Sequence, residues 1–217
     1  MITFMRSAAV VGAVLISAMS FEAAAASKTL EFTVTRDGSA IGTHAYTIDT
    51  NGADTTVSVS TDIRVKALFL TVYKFIHESK EVWSNGKLVS LNSTTDDDGT
   101  EKSLKIEAKN GQLMVEAVVN KQNRLQYAAL SAIPASLWNP ATVKQNMIVN
   151  TLDGQQMKVD VENVGSEEIT AAGSMISANH YKITGELTRD LWFNTAGDLV
   201  RISFPDKTDS KIIYSLN

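Results

Sequence analysis

The densest set of groups able to do chemistry lies in one stretch, Tyr73-Lys74-Phe75-Ile76-His77-Glu78-Ser79-Lys80-Glu81-Val82-Trp83. His77-Glu78 followed by Glu81 shares its first half with the zinc-protease motif, which needs histidines four apart on one helical face; here the fourth position holds Glu81. In a strand, residues four apart lie about 13 Å from each other along the chain, too far to share one metal. Alternation instead puts Tyr73, Phe75, His77, Ser79, Glu81 and Trp83 on one face and Lys74, Ile76, Glu78, Lys80 and Val82 on the other. The first face, large and aromatic at its ends, is expected to look inward or toward a cavity. His44 shares a face with Tyr46 and Ile48, so His44 and His77 are expected to point into one interior, whereas His180, alternating with Lys182, is expected to face solvent. His44, His77 and Glu81 form the candidate polar site, read either as hydrogen-bonded structural groups or as the acid–base groups of a hydrolase or lyase. Their spacing does not define a closed metal site, and neither a metal nor another cofactor is expected.

Other motifs are weaker. Asp96-Asp97-Asp98-Gly99-Thr100-Glu101 has glycine at its fourth place rather than the sixth that an EF-hand loop requires, and reads as an acceptor-rich hairpin turn. Gly38-Ser39-Ala40-Ile41-Gly42 lacks the spacing of a nucleophile elbow and opens a strand rather than a helix. Phosphate loops and dinucleotide fingerprints are absent from the sequence. The more suggestive feature is apolar excess: from Val65 to Ile76 both faces are apolar between Lys66 and Lys74, so the segment needs cover on both sides, from protein or from a ligand. Phe69, Leu70 and Phe75, with Trp83, Trp138 and Trp192, are the candidate lining of an apolar binding cavity.

The elements that must position these groups are strands. Apolar residues recur with period two, as in Leu30, Phe32, Val34, then Val57, Val59, and later Met157, Val159, Val161. Between them stand Asp37-Gly38, Asn51-Gly52, Asn85-Gly86, Asp98-Gly99, Asn110-Gly111, Asp153-Gly154 and Gly197-Asp198, turn pairs suited to tight hairpins. This pattern predicts a mainly β fold, an antiparallel meander that curls into a bent sheet or open β-barrel. Ser131 to Gln145 breaks the alternation and holds two of the three prolines. Asn139-Pro140 suits an N-cap followed by proline at the first helical position, so a short helix through about Gln145, or an irregular loop, is expected to plug the sheet.

The chain opens with Arg6, an apolar run from Ala8 to Met19, and Ala23-Ala24-Ala25-Ala26 before Ser27. That order describes a secretory signal peptide over residues 1–26, leaving residues 27–217 as a single exported β domain. The apolar run is shorter than the roughly 20 residues that span a bilayer, so no transmembrane segment is expected in the mature chain. The leader carries one positive and one negative residue, so the mature chain keeps the formal net charge of −4, too weak to imply a nucleic-acid partner. With no cysteine, thiol catalysis, thiolate metal sites and redox switching are excluded. The expected location is the periplasm.

Asp37-Gly38-Ser39-Ala40-Ile41-Gly42, the Tyr73–Trp83 segment running into Asn85-Gly86-Lys87-Leu88, Asp97-Asp98-Gly99, Trp138-Asn139-Pro140 and Asp190-Leu191-Trp192-Phe193 together resemble a family of exported bacterial proteins known only as a domain of unknown function. The resemblance spans about Thr29 to Leu216 and implies no activity. More remotely, the opening strand-turn-Ile-Gly unit and the closing Trp-x-x-x-x-Gly-x-Leu-Val hairpin are similar to periplasmic lipoprotein carriers, whose curled sheets shelter acyl chains over a helical plug. That likeness implies architecture only. The expected function is non-catalytic binding of an apolar ligand, an acyl chain or lipid, in the concave face. The alternatives are a cell-envelope module that binds a protein, and the hydrolase or lyase built on His44, His77 and Glu81.

Overall fold

The computed structural model describes residues 25–217; the expected signal peptide, apart from Ala25 and Ala26, lies outside the described residues. Eight strands form an unbroken antiparallel meander: β1 (Ala26–Arg36), β2 (Ser39–Asn51), β3 (Asp54–Ala67), β4 (Leu70–Ser84), β5 (Lys87–Asp97), β6 (Thr100–Lys109), β7 (Gln112–Val119) and β8 (Gln122–Ala129). After β9 (Ile133–Pro134), a 3-10 helix (Pro140–Lys144) and β10 (Met147–Val149), a second meander follows. Its strands are β11 (Gln156–Ala171), β12 (Ser174–Gly185), β13 (Arg189–Asn194), β14 (Leu199–Pro205) and β15 (Lys211–Leu216). The two arms join where β1 pairs with β15, giving one sheet in the order β8-β7-β6-β5-β4-β3-β2-β1-β15-β14-β13-β12-β11-β10-β9. Only β9 and β10 pair in parallel. The sheet is open, with β8 and β9 at its two edges.

Turn chemistry sets much of this register. At Asn85-Gly86, Asp98-Gly99 and Asn110-Gly111 both residues take positive φ (50° and 71°, 50° and 86°, 51° and 79°), the geometry whose twist matches the flanking strands. The Asn51-Gly52 signal lands one residue late, with the turn on Gly52-Ala53. Register shifts after Val34, Val65, Val82, Asn163 and Trp192 add local twist and curl the sheet around its apolar face.

The curl encloses two apolar clusters. Leu30, Phe32, Tyr46, Val57 and Val59 pack with Ile183, Leu191, Phe193, Leu199 and Ile202 in one. Trp83, Leu88, Leu91, Leu104, Ile106, Leu113 and Val115 form the other. The segment between β8 and β11 is wedged between them: Leu137, Ile148 and Met157 join the first cluster, Ile133 and Val149 the second, and Trp138 packs against both. This is the plug that Ser131–Gln145 predicted. Asn139 caps its helix, its side-chain oxygen accepting from the Ala141 N–H at 2.9 Å, and Pro140 occupies the first helical position. The sheet's far ends meet through side chains rather than a backbone ladder. Gln126 Nε2 donates to the Gly154 carbonyl, and Gln156 Nε2 donates to the Tyr127 carbonyl at 3.2 Å.

One expectation is corrected here. Val65–Ile76 is not a single strand covered on both sides but a hairpin whose turn is Leu68-Phe69, with those two side chains 94% and 98% exposed. Beyond Ile63 on β3 and Phe75 on β4 no third strand accompanies the ribbon. The turn carries no glycine or asparagine, so its apolar residues read as strand.

Candidate functional site

Cross-strand register lines the inner face of β2–β5 in rows. His44, Thr61, His77 and Thr95 stand side by side, followed by Tyr46, Val59, Ser79 and Ser93, then Ile48, Val57, Glu81 and Leu91. Each histidine is tied to its neighbouring threonine: His44 Nδ1 and Thr61 Oγ1 hydrogen-bond at 2.7 Å, His77 Nδ1 and Thr95 Oγ1 at 2.8 Å. Aromatic rings surround His44, with Tyr46 at 4.4 Å and Tyr214 at 5.3 Å between centroids, both edge-on. Phe75 stacks beside His77 at 6.2 Å. Burial, aided at His44 by the nearby His77, pushes the His44 imidazole down to about 3, and burial pushes His77 down to about 4. Both rings are therefore neutral at pH 7. His44 Nε2 is buried without a hydrogen-bond partner.

Glu81 does different work. It is wholly buried, and its Oε2 accepts from the indole N–H of Trp83 at 2.8 Å and of Trp138 at 2.9 Å. The two rings meet edge-on, 5.7 Å apart, so the carboxyl fastens the plug to β4. Burial raises the Glu81 pKa, against the opposing pull of the Ser136, Trp138 and Trp83 donors. Its Oε1 and the Ser136 Oγ have no partner of good geometry, although that hydroxyl is near enough to favour the carboxylate.

Between the histidine row, the plug and strands β13–β15 lies an interior cavity of about 220 Å³. Tyr46, Val59, Leu137, Met157 and Ile202 give it apolar walls. Half-buried Phe75, Leu187, Arg189, Phe204 and Tyr214 complete its lining together with half-buried residues of the plug segment such as Ala135 and Ser136. A larger hollow, about 930 Å³, lies among exposed polar side chains such as Glu78, Lys80, Asn92 and Arg124. It is a groove of the outward-facing side chains rather than an enclosure, and the smaller interior cavity is the better ligand site.

The structure brings His44, His77 and Phe75 to this cavity; Trp83 and Trp138 do not line it but pack in the second apolar cluster. It does not bring the remaining candidates there. Phe69 and Leu70 project at the β3–β4 tip, Leu70 72% exposed. Trp192 lies between Leu191 and Phe193 of the main core, so alternation turns it to the opposite face, where it is buried in a separate cluster with Ile169, Ala171, Ala178 and Val200. His180 is on that face too but is not simply solvated. Its ring stacks on Trp192 at 4.2 Å, and its Nε2 and Asp190 Oδ1 hydrogen-bond at 2.8 Å.

His44, His77 and Glu81 do not form one reacting group. Two strand spacings, about 10 Å of backbone, separate the histidines, and Glu81 lies four residues farther along β4 and is held by the indoles. Among the described residues no group of three or more His, Asp or Glu side chains is gathered to hold a metal ion. Sequence reasoning missed Arg189, Phe204 and Tyr214. A signal existed: Arg189 alternates with the core residues Leu191 and Phe193, and Tyr214 with Ile212.

Curl, plug and cavity define a curled, open β-barrel-like protein. Solved structures include one of similar fold, a β-barrel-like protein of the domain of unknown function DUF1849 from Brucella abortus. It is 10% identical, with a TM-score of 0.58 over 87% of this chain and 95% of that one, a likeness of fold alone. No curated protein matches the chain. The chain belongs to the family described as a domain of unknown function, DUF6134, which matches residues 32–217. No helix among the described residues is long and apolar enough to cross a membrane.

Proposed function

We propose that this protein is a non-catalytic binder of the bacterial envelope that shelters an apolar ligand, an acyl chain or part of a lipid, in the concave interior. The observation that carries the reading is the 220 Å³ cavity, walled by Tyr46, Val59, Leu137, Met157 and Ile202 and bordered by neutral histidines. Its volume falls below the roughly 300–1,000 Å³ of pockets that enclose drug-sized ligands. The ligand is therefore a short chain, or the end of a longer one whose remainder lies outside. A periplasmic address is part of this proposal and is supported by the order of charge, apolar run and small residues in residues 1–26.

The test is organic extraction of protein purified from its native envelope, followed by mass spectrometry, with titration of a fluorescent fatty acid into delipidated protein. Co-purified lipid and saturable binding are expected. Protein that carries nothing and leaves the probe unbound defeats the reading. The apolar tip, Leu68 to Leu70, favours a second reading, an envelope module that docks on a protein. That reading takes over if the interior proves empty while a Phe69→Ser, Leu70→Ser variant loses an assembly that the wild type forms in crosslinked envelopes.

A further inference from the structure

The cavity contains a cation that the protein itself does not neutralise. Arg189, at the start of β13, lays its guanidinium over the Phe204 ring, 3.6 Å from the centroid, and donates through one nitrogen to the Thr188 carbonyl at 2.7 Å. A guanidinium has five N–H donors in a planar fork, and this one has no other protein acceptor among the described residues. The cations that do have a carboxylate within 4.0 Å, such as Arg36 on Asp206 or Lys102 on Asp97, do not line this cavity. Arg189 has no such carboxylate. Its nearest carboxyl in sequence, Asp190, faces the opposite side of the sheet and is bonded to His180.

Arg189 is half-buried and lacks a counter-ion, and partial burial pushes its pKa down to about 10, against the favourable influence of Tyr214. The Phe204 face compensates in part through cation–π attraction. It leaves the forked edge free. The same cavity is lined by further hydrogen-bonding groups: His44, a residue 92% buried whose Nε2 has no partner, and Tyr214, whose ring stands edge-on to His44. The remaining lining combines apolar Val59, Leu137, Met157 and Ile202 with polar Thr61, Ser136, Asn150 and Thr151.

Resting on the cavity reading above, we propose that the ligand is an anionic amphiphile whose carboxylate or phosphate is held by the Arg189 fork, with its hydrocarbon tail against Tyr46, Val59, Leu137 and Met157. A planar guanidinium matches two oxygens of a carboxylate or phosphate in a bidentate contact, which a neutral alcohol does not offer.

The test is calorimetric titration of the delipidated protein with octanoate, octyl phosphate, 1-octanol, octyltrimethylammonium and inorganic phosphate. Octanoate or octyl phosphate is expected to bind at least tenfold more tightly than 1-octanol, with octyltrimethylammonium and inorganic phosphate weaker still. Arg189→Met is expected to abolish the preference over 1-octanol without abolishing 1-octanol binding, and Arg189→Lys to keep part of it. If 1-octanol equals the anions, the anionic head is refuted while the apolar cavity stands. If inorganic phosphate binds as tightly as octyl phosphate, the site serves a free oxyanion and the amphiphile is refuted. If no octyl compound binds, the cavity reading falls and takes this inference with it. The wild-type series decides among these outcomes even if Arg189→Met fails to fold.

Discussion

Acid should loosen this fold through His44 and His77. Both are buried and neutral, with pKa values pushed down to about 3 and about 4, whereas in the unfolded chain they return to about 6.5. Below pH 6.5 the unfolded state takes up protons that the folded state refuses. Their contribution is fully present above pH 6.5 and is lost as pH falls toward 4 for His77 and 3 for His44. The slope is about 1.4 kcal/mol per pH unit for each proton, so at pH 5 each histidine has cost about 2 kcal/mol, and the pair about 4. Against a typical domain stability of about 5–15 kcal/mol, that is a large share. Glu81 acts in the opposite sense, because its pKa is raised in the fold and its protonation favours the folded state as pH falls. It is common to every protein compared. Urea unfolding followed by tryptophan fluorescence, at pH 7.5 and 5.0, should therefore show His44→Gln and His77→Gln each losing about 2 kcal/mol less than wild type, and the double variant about 4 less. Glutamine leaves Thr61 and Thr95 a hydrogen-bonding neighbour. A double variant as acid-sensitive as wild type would refute the assignment of neutral, buried rings.

Two other substitutions probe the frame around the cavity. Glu81→Leu leaves the indole N–H groups of Trp83 and Trp138 without an acceptor and should cost about 2–6 kcal/mol, at about 1–3 per orphaned donor. Glu81→Gln keeps an acceptor for both and should cost far less; it should also remove a stability loss that wild type suffers as pH rises above the ordinary carboxyl range, read by denaturation at pH 4.5 and 8. Leu68→Gly, at an exposed turn position with φ of 56°, should raise stability by about 0.5–1 kcal/mol, because it relieves left-handed strain on a side chain that packs on nothing. A fall in melting temperature would show that Leu68 makes contacts its exposure conceals.

The sheet was legible because its signals are local. Period-two burial at Leu30, Phe32 and Val34, and paired turn residues such as Asn85-Gly86, are written within a few residues of the elements they make. The inward face from Phe75 to Trp83, and the helix after Asn139-Pro140, were legible for the same reason. The cavity was not, because it is made by pairing β1 with β15, which brings Arg189, Phe204 and Tyr214 opposite His44 and His77. No spacing records that meeting. Aromaticity misled as well: Trp192 has the composition of a lining residue but the parity of the opposite face, and Phe69 that of a buried strand but the position of a turn.

The junction of β1 with β15 also bears on how the molecule assembles. Each arm grows by hairpins between neighbours in sequence, steps that are quick because little chain must be ordered at a time. Joining them requires Phe32 to meet Leu216 and Thr33 to reach Asn217, a separation of 184 residues for the latter pair. Closing such a loop costs on the order of 5 kcal/mol of chain entropy, recovered only when the two arms share a core. On loop entropy the junction at the centre of the finished sheet is expected to be the slowest step of folding, and the interior is incomplete until β15 joins β1.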